Sequence, residues 1–205
     1  VSYNRLTGNI PNEIRNLSEL ERLFLSNNEF EGSVPDFSGL SKLYFLTIKE
    51  NHLVFKDFEN EHPSYTALQS YAYAPQAKVD QPETRSINAG QSITLTSTEL
   101  TSPNNSYQWY KTVGGTTTAI TGATNKNLVI SNASTADDGV YHFLATNSIV
   151  TDLTLERHPI TLTVIEDTCG VSEVEKQALL DFYTATGGAN WKNTVENNKP
   201  WDPVI

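Results

Sequence analysis

The sequence predicts a mainly β chain in three pieces: the end of a repeat solenoid, a disulfide-free β-sandwich, and a helical cap. Three observations lead there. Asn4, Asn28 and Asn51 recur at spacings of 24 and 23, with hydrophobic residues keeping step around each. From about Pro75 that period gives way to short alternating segments separated by turn residues. After Glu166 a third pattern begins, with Val174, Ala178, Leu179 and Phe182 at helical spacing.

Composition bounds the function. The 205 residues carry 14 Lys and Arg against 24 Asp and Glu, a net charge of −10. An acidic chain is a poor partner for a nucleic-acid backbone or an anionic membrane, since both attract basic surfaces. No apolar run approaches the roughly 20 residues that span a bilayer. Neither nucleic acid nor membrane insertion is therefore expected. The first residues show no charged-then-apolar leader, and the chain reads as a section of a longer polypeptide. One cysteine, Cys169, excludes an intrachain disulfide.

In the first piece, residues 1–74, Leu6, Phe30 and Leu53 each lie two positions after the recurring Asn. Gly8 and Gly32 match, as do Ile10-Pro11 and Val34-Pro35, and Leu20, Leu23 and Leu25 match Leu43, Leu46 and Ile48. The unit L-x-x-L-x-L-x-x-N-x-L-x-G-x-I-P resembles a leucine-rich repeat of the plant-type length. Its chemistry is mechanical. Leu23 and Leu25 alternate, so both point inward from a short strand. The side chains of Asn4, Asn28 and Asn51 satisfy backbone groups that the tight turns leave open. The third unit decays, with Phe55 in the glycine position and Asp57 in the Ile/Val position. It reads as a terminal repeat with no neighbour to pack on. Asp57, Glu59, Glu61 and His62 follow as a solvated acidic edge rather than a hard-cation site, since their spacing fits no calcium loop. Phe55, Phe58, Tyr65, Tyr71 and Tyr73 are expected to cover the end of the core.

The second piece, residues 75–165, carries alternating segments at Ser92–Thr96, Tyr107–Lys111, Leu128–Ile130 and Thr161–Ile165. The run Asp137-x-Gly139-x-Tyr141-x-Phe143 resembles the D-x-G-x-Y-x-C signature of immunoglobulin-like domains, and Trp109 matches their core tryptophan. The resemblance implies a sandwich in which Tyr141 makes the tyrosine corner. Leu95 and Phe143 stand where the family has its two cysteines. The missing bridge, worth about 2–4 kcal/mol, is replaced by apolar burial worth about 1.5–3 kcal/mol per side chain.

The third piece, residues 166–205, is a linker followed by a helix. Ser172 and Glu175 form a capping box, and Gly187-Gly188 ends the helix. Trp191 and Trp201 follow. The segment resembles the N-terminal cap that opens a further leucine-rich repeat array. The order of the three pieces resembles bacterial, Bacteroidetes-type cell-surface proteins that alternate leucine-rich repeats with Ig-like domains.

Catalysis is not expected. There is no G-x-S-x-G, H-E-x-x-H or P-loop. The four histidines lie in separate elements, with His142 facing solvent, and Cys169 has acidic neighbours that disfavour a thiolate. No metal or cofactor is expected. The first reading is a non-catalytic extracellular or cell-surface module, a structural spacer or filament-forming stalk in adhesion. The alternative is ligand recognition, of a glycan or peptide, on the concave strand face. A eukaryotic receptor ectodomain is a further reading. The partners are a protein or glycan ligand, or further copies of the same chain. On the concave face, residues between the inward leucines point outward: Arg22, Phe24 and Ser26 on one strand, Phe45, Thr47 and Lys49 on the next. The spacing of 23 puts Phe24 and Phe45 one step apart on neighbouring strands. With Arg22, Thr47 and Lys49 they form the candidate ligand patch.

Overall fold

The computed structural model describes residues 1–166 and 173–187. Residues 1–165 form one compact unit and residues 166–205 another. The described residues are mainly β, and the first unit holds a repeat region and a two-sheet sandwich.

The repeat region begins with β1 (Thr7–Gly8), β2 (Arg22–Phe24), β3 (Glu29–Phe30), β4 (Phe45–Thr47), the short helix α1 (His62–Tyr65) and β5 (Ser70–Ala72). Strands β2, β4 and β5 pair in parallel, one per repeat, with Leu23 opposite Leu46 and Leu46 opposite Tyr71. Leu23, Leu25, Leu46, Ile48 and Leu53 are buried beneath them, as the alternation requires. β1 and β3 form a second parallel pair on the returning segments. The residue before each recurring Asn lies in the left-handed region: Tyr3 at φ 60°, Asn27 at 57° and Glu50 at 56°. That conformation turns the chain sharply out of the strand, and the Asn side chain then ties off the turn.

The Asn ladder is satisfied on both sides. The Phe30 N–H donates to Asn51 Oδ1 at 3.1 Å, and Asn51 Nδ2 donates to the carbonyls of Leu25, Ile48 and Lys49 at 3.0, 2.9 and 3.2 Å. Asn28 does the same one repeat earlier, accepting from the Leu6 N–H and donating to Leu25 and Ser26 carbonyls. Asn4 donates to the carbonyls of Val1 and Ser2.

The third unit is not the last. A third parallel strand, β5, continues the sheet beyond the third unit, and Gln76 supplies the fourth rung. Gln76 Oε1 accepts from the Asn51 N–H at 3.0 Å, and its Nε2 donates to the carbonyls of Ile48 and Tyr73. The segment between β4 and β5 is no solvated acidic edge either. Asp57 and His62 are buried. His62 meets Tyr73 edge-on at 4.8 Å, and Tyr65 meets Tyr71 at 5.4 Å. Phe55, Phe58 and Tyr65 are buried here.

The sandwich adds β6 (Glu83–Asn88), β7 (Ile93–Leu95), β8 (Asn105–Val113), β9 (Thr116–Ala119), β10 (Leu128–Ile130), β11 (Gly139–Asn147), β12 (Leu155–Glu156) and β13 (Ile160–Ile165). One sheet runs β6-β13-β11-β8-β9, with β12 also on β11, and the other pairs β7 with β10. β6 joins β13 in parallel, while the pairs β11–β13 and β8–β11 are antiparallel. Trp109, Leu95 and Phe143 are buried between the sheets, and the Trp109 and Phe143 rings meet edge-on at 5.1 Å. The Tyr141 hydroxyl donates to the Asp137 carbonyl at 2.6 Å, the tyrosine corner. Burial raises the pKa of that phenol, which the Asp137 and Asp138 charges raise further, to about 12. Asp137 also accepts from the Ser134 N–H, closing the turn before β11. His142 does not stand free in solvent: it is half-buried and stacks on Tyr110 at 5.3 Å, with the rings 11° from parallel.

In the second unit, the helix α2 covers Glu173–Ala185, and Gly187, φ 68°, lies in the turn that follows it. Val174, Leu179 and Leu180 are exposed. The capping-box Ser172, Cys169, Trp191 and Trp201 lie outside the described residues.

Candidate functional site

The parallel pairing of β2 with β4 brings the expected residues of the concave face together. Arg22 lies opposite Phe45, and Phe24 opposite Thr47, so the two aromatics sit one step apart. Their ring centroids are 4.8 Å apart at an interplanar angle of 33°, and Phe24 is 42% exposed. Phe45 is half-buried, consistent with its place between Arg22 on one side and Ser70 of β5 on the other.

The rest of the expected patch divides. Arg22 is exposed and donates through Nε to the Tyr44 hydroxyl, with its guanidinium carbon 5.2 Å from the Tyr44 ring centroid. Tyr44 was not expected here. It precedes β4, and its hydroxyl and ring hold the guanidinium of Arg22, the residue paired with Phe45. Thr47, expected to point outward, is buried, and its hydroxyl is bonded to that of Ser26, also buried. The third strand explains this: β5 places Ala72 opposite Thr47 and covers it. Lys49 is engaged by its neighbour Glu50 at 3.7 Å. The surface that remains accessible is Phe24, Arg22, the half-buried Phe45 and Tyr44, and Lys49, whose side chain is 40% exposed.

The junction between repeat region and sandwich is polar, and Asp80 Oδ2 is its one buried oxygen without a hydrogen bond among the described residues. Glu59, just before α1, accepts from the Ser102 hydroxyl at 3.0 and 2.7 Å and from Asn147 Nδ2 at 2.9 Å. The Tyr73 hydroxyl donates to Asp152 at 3.4 Å. The connecting backbone is held on both flanks. The Glu50 N–H donates to the Pro75 carbonyl at 2.6 Å and the Ala77 N–H to the Asn51 carbonyl at 2.7 Å. The Val79 N–H then donates to the Glu156 carbonyl at 2.9 Å. Below it, the buried Arg157 guanidinium faces Asp80 at 3.6 Å, pairs with Glu83, and donates to the Thr96 carbonyl at 3.1 Å. A buried guanidinium requires this density of acceptors. Sequence reasoning placed Glu59 on a solvated edge, where the structure instead bonds it to Ser102 and Asn147, and gave no role to Gln76, Asp80 or Arg157. Only Gln76 left a signal, its spacing of 25 from Asn51.

Among the described residues no group of three or more His, Cys, Asp or Glu side chains is placed to hold a metal ion. No described helix is long and apolar enough to cross a membrane.

Comparison with known proteins agrees with this architecture. Residues 75–147 match the immunoglobulin domain family, and residues 19–40 match the leucine-rich repeat family. The chain thus combines an Ig-like domain with a leucine-rich repeat, and neither match is an enzyme family. No curated protein matches it. Similar solved structures include the N-terminal eight Ig domains of Down Syndrome Cell Adhesion Molecule isoform 1.30.30, at 19% identity and TM-score 0.36, covering 46% of this chain and 14% of that one. The N-terminal four Ig domains of Dscam1 isoform 6.9 align at 20% identity and TM-score 0.35, covering 48% and 29%. The chain spans less than a third of the length of either structure.

Proposed function

We propose that this chain is a non-catalytic section of an extracellular or cell-surface adhesion protein, in which the repeat region and the sandwich act together as a stiff spacer. The observation that carries this reading is the junction. Residues 75–79 are hydrogen-bonded to the repeats on one side and to β12 of the sandwich on the other, and Glu59 clasps Ser102 and Asn147. A flexible linker would leave those backbone groups to water. In this reading residues 1–74 close one repeat array, residues 75–165 are the spacer sandwich, and residues 166–205 open a further array as its helical cap, as in the bacterial surface proteins that the domain order resembles. Residual dipolar couplings on the full chain test the stiffness. One alignment tensor should fit amides of the repeats and of the sandwich; two distinct tensors would sink the spacer reading.

A second reading, recognition of a protein or glycan at the concave face, is favoured by the exposed Phe24–Phe45 pair beside Arg22. Aromatic and Arg anchors typically cost about 2 kcal/mol or more when cut to Ala. Phe24→Ala with Phe45→Ala should abolish binding on a glycan or peptide array while leaving unfolding nearly unchanged. If the parent binds nothing on either array, this second reading falls.

A further inference from the structure

His62, at the start of α1, is 5% exposed and lies inside a box of aromatic rings. Phe58 stands at 6.3 Å, Tyr71 at 5.6 Å and Tyr73, edge-on, at 4.8 Å. The box adjoins the junction with the sandwich. Its Tyr73 donates to Asp152, and Glu59, next to Phe58, accepts from Ser102 and Asn147. Two polar atoms of the box, His62 Nδ1 and the Tyr71 hydroxyl oxygen, are buried without a hydrogen-bond partner. We propose that His62 is an acid-operated release for the junction: when the imidazole takes up a proton, the box opens, the Tyr73 and Glu59 contacts let go, and residues 75–79 remain as a hinge between repeats and sandwich. The release rests on the stiff-spacer reading and supplies that spacer with a means of regulation.

A protonated imidazole donates from both ring nitrogens, and the fold gives the buried Nδ1 no acceptor. The groups around the ring supply no adequate counter-charge. On its own helix stands the phenol of Tyr65, which donates to the Pro35 carbonyl. The phenols of Tyr71, in β5, and of Tyr73 just after it close the box. Burial raises the pKa of all three, so they stay neutral where a histidine titrates. Glu61, immediately before the helix, is likewise pushed toward its neutral form by burial. From the sandwich, the charge of Asp152 favours the imidazolium, but the cost of burial outweighs it. The closed box therefore holds a neutral His62, and the open box binds the proton more readily. By linkage, falling pH favours the open form. The elements that must move are short, four residues in α1 and three in β5, and local opening on that scale requires less free energy than global unfolding.

Residual dipolar couplings on the full chain at about pH 7.5 and about pH 5 test the release. One alignment tensor should fit repeats and sandwich at the higher pH and two should be needed at the lower, with β4 and β11 still folded at both. His62→Phe keeps a ring in the box and removes the titration, so one tensor should serve at both values. Asp152→Asn keeps an acceptor for Tyr73 and removes the charge that favours the imidazolium, so its opening should move to lower pH. It reports even if His62→Phe fails to fold. Two tensors at the higher pH would remove the spacer reading itself, and the release with it. A single tensor for the parent at both values, opening of His62→Phe at the parent's pH, no downward shift in Asp152→Asn, or loss of all tertiary structure at the lower value would overturn the release alone.

Discussion

At the scale of single residues, the Asn ladder shows why identical side chains carry unequal weight. Asn51 is 1% exposed and makes one accepted and three donated hydrogen bonds, whereas Asn4 makes its bonds at the surface. A net hydrogen bond contributes about 1 kcal/mol, and an orphaned buried partner costs more. Asn51→Ala should therefore lose about 3 kcal/mol or more in denaturant unfolding, and Asn4→Ala under about 1 kcal/mol. His62 makes a second residue-scale prediction. Burial lowers its pKa from the ordinary value, only partly opposed by the charge of Asp152, and its buried Nδ1 has no hydrogen-bond partner. The folded chain then binds protons at this site less readily than the unfolded chain. Its contribution is fully present above the unfolded pKa, near 6.5, and is lost as pH falls from there through the lowered folded-state pKa. His62→Phe should flatten the decline in melting temperature between neutral pH and pH 5. An unchanged profile would contradict the buried, neutral imidazole.

At the scale of elements, β5 decides how the repeat region ends. Its Tyr71 pairs with Leu46 and packs between Tyr73, tilted at 4.7 Å, and Tyr65, edge-on at 5.4 Å. Truncating a packed aromatic typically costs about 3–5 kcal/mol. Tyr71 is only partly buried, so Tyr71→Ala should cost about 2–3 kcal/mol. Hydrogen exchange of the Ile48 amide, which donates to the Ala72 carbonyl, should accelerate in parallel. In the sandwich, Leu95 and Phe143 replace a covalent pin by packing around Trp109. Such packing holds the sheets together without dependence on redox state.

At the scale of the whole molecule, two expectations follow. The only cysteine is Cys169, so the melting temperature of the monomer should not change when a reductant is added; a drop of several degrees would contradict a disulfide-free core. The second concerns cooperativity. Glu59 joins the repeats to the sandwich through two donors, the Ser102 hydroxyl, whose single proton is shared between the two carboxylate oxygens, and Asn147 Nδ2. Charged acceptors of this kind contribute about 1.5–3 kcal/mol each. Glu59→Ala should split calorimetric unfolding of residues 1–165 into two transitions, because the repeats and the sandwich would then lose a charged contact that they share. A single sharp transition in the variant would place the coupling in the backbone seam of residues 75–79 instead.

The sequence by itself determined the periodic parts of this protein. The Asn spacing, the inward leucines, the alternating strands, and the Asp137–Gly139–Tyr141 turn with Trp109 are local patterns, each repeated or tied to a fixed offset, so they survive without knowledge of what packs on them. The offset of Phe24 from Phe45 followed for the same reason, since parallel register transmits spacing directly into position. Only the tertiary structure decided what non-neighbours do to one another. β5 buried Thr47 and withdrew it from the candidate face. Gln76 took the rung of an asparagine because its side chain reaches the Ile48 carbonyl and the Tyr73 carbonyl three residues before it, as Asn51 reaches Leu25 and Ile48. Glu59, Asp80 and Arg157 became a junction and a buried ion cluster because chain segments far apart in sequence converge on them. Burial and charge pairing depend on three-dimensional neighbours, and no period along the chain records who those neighbours are.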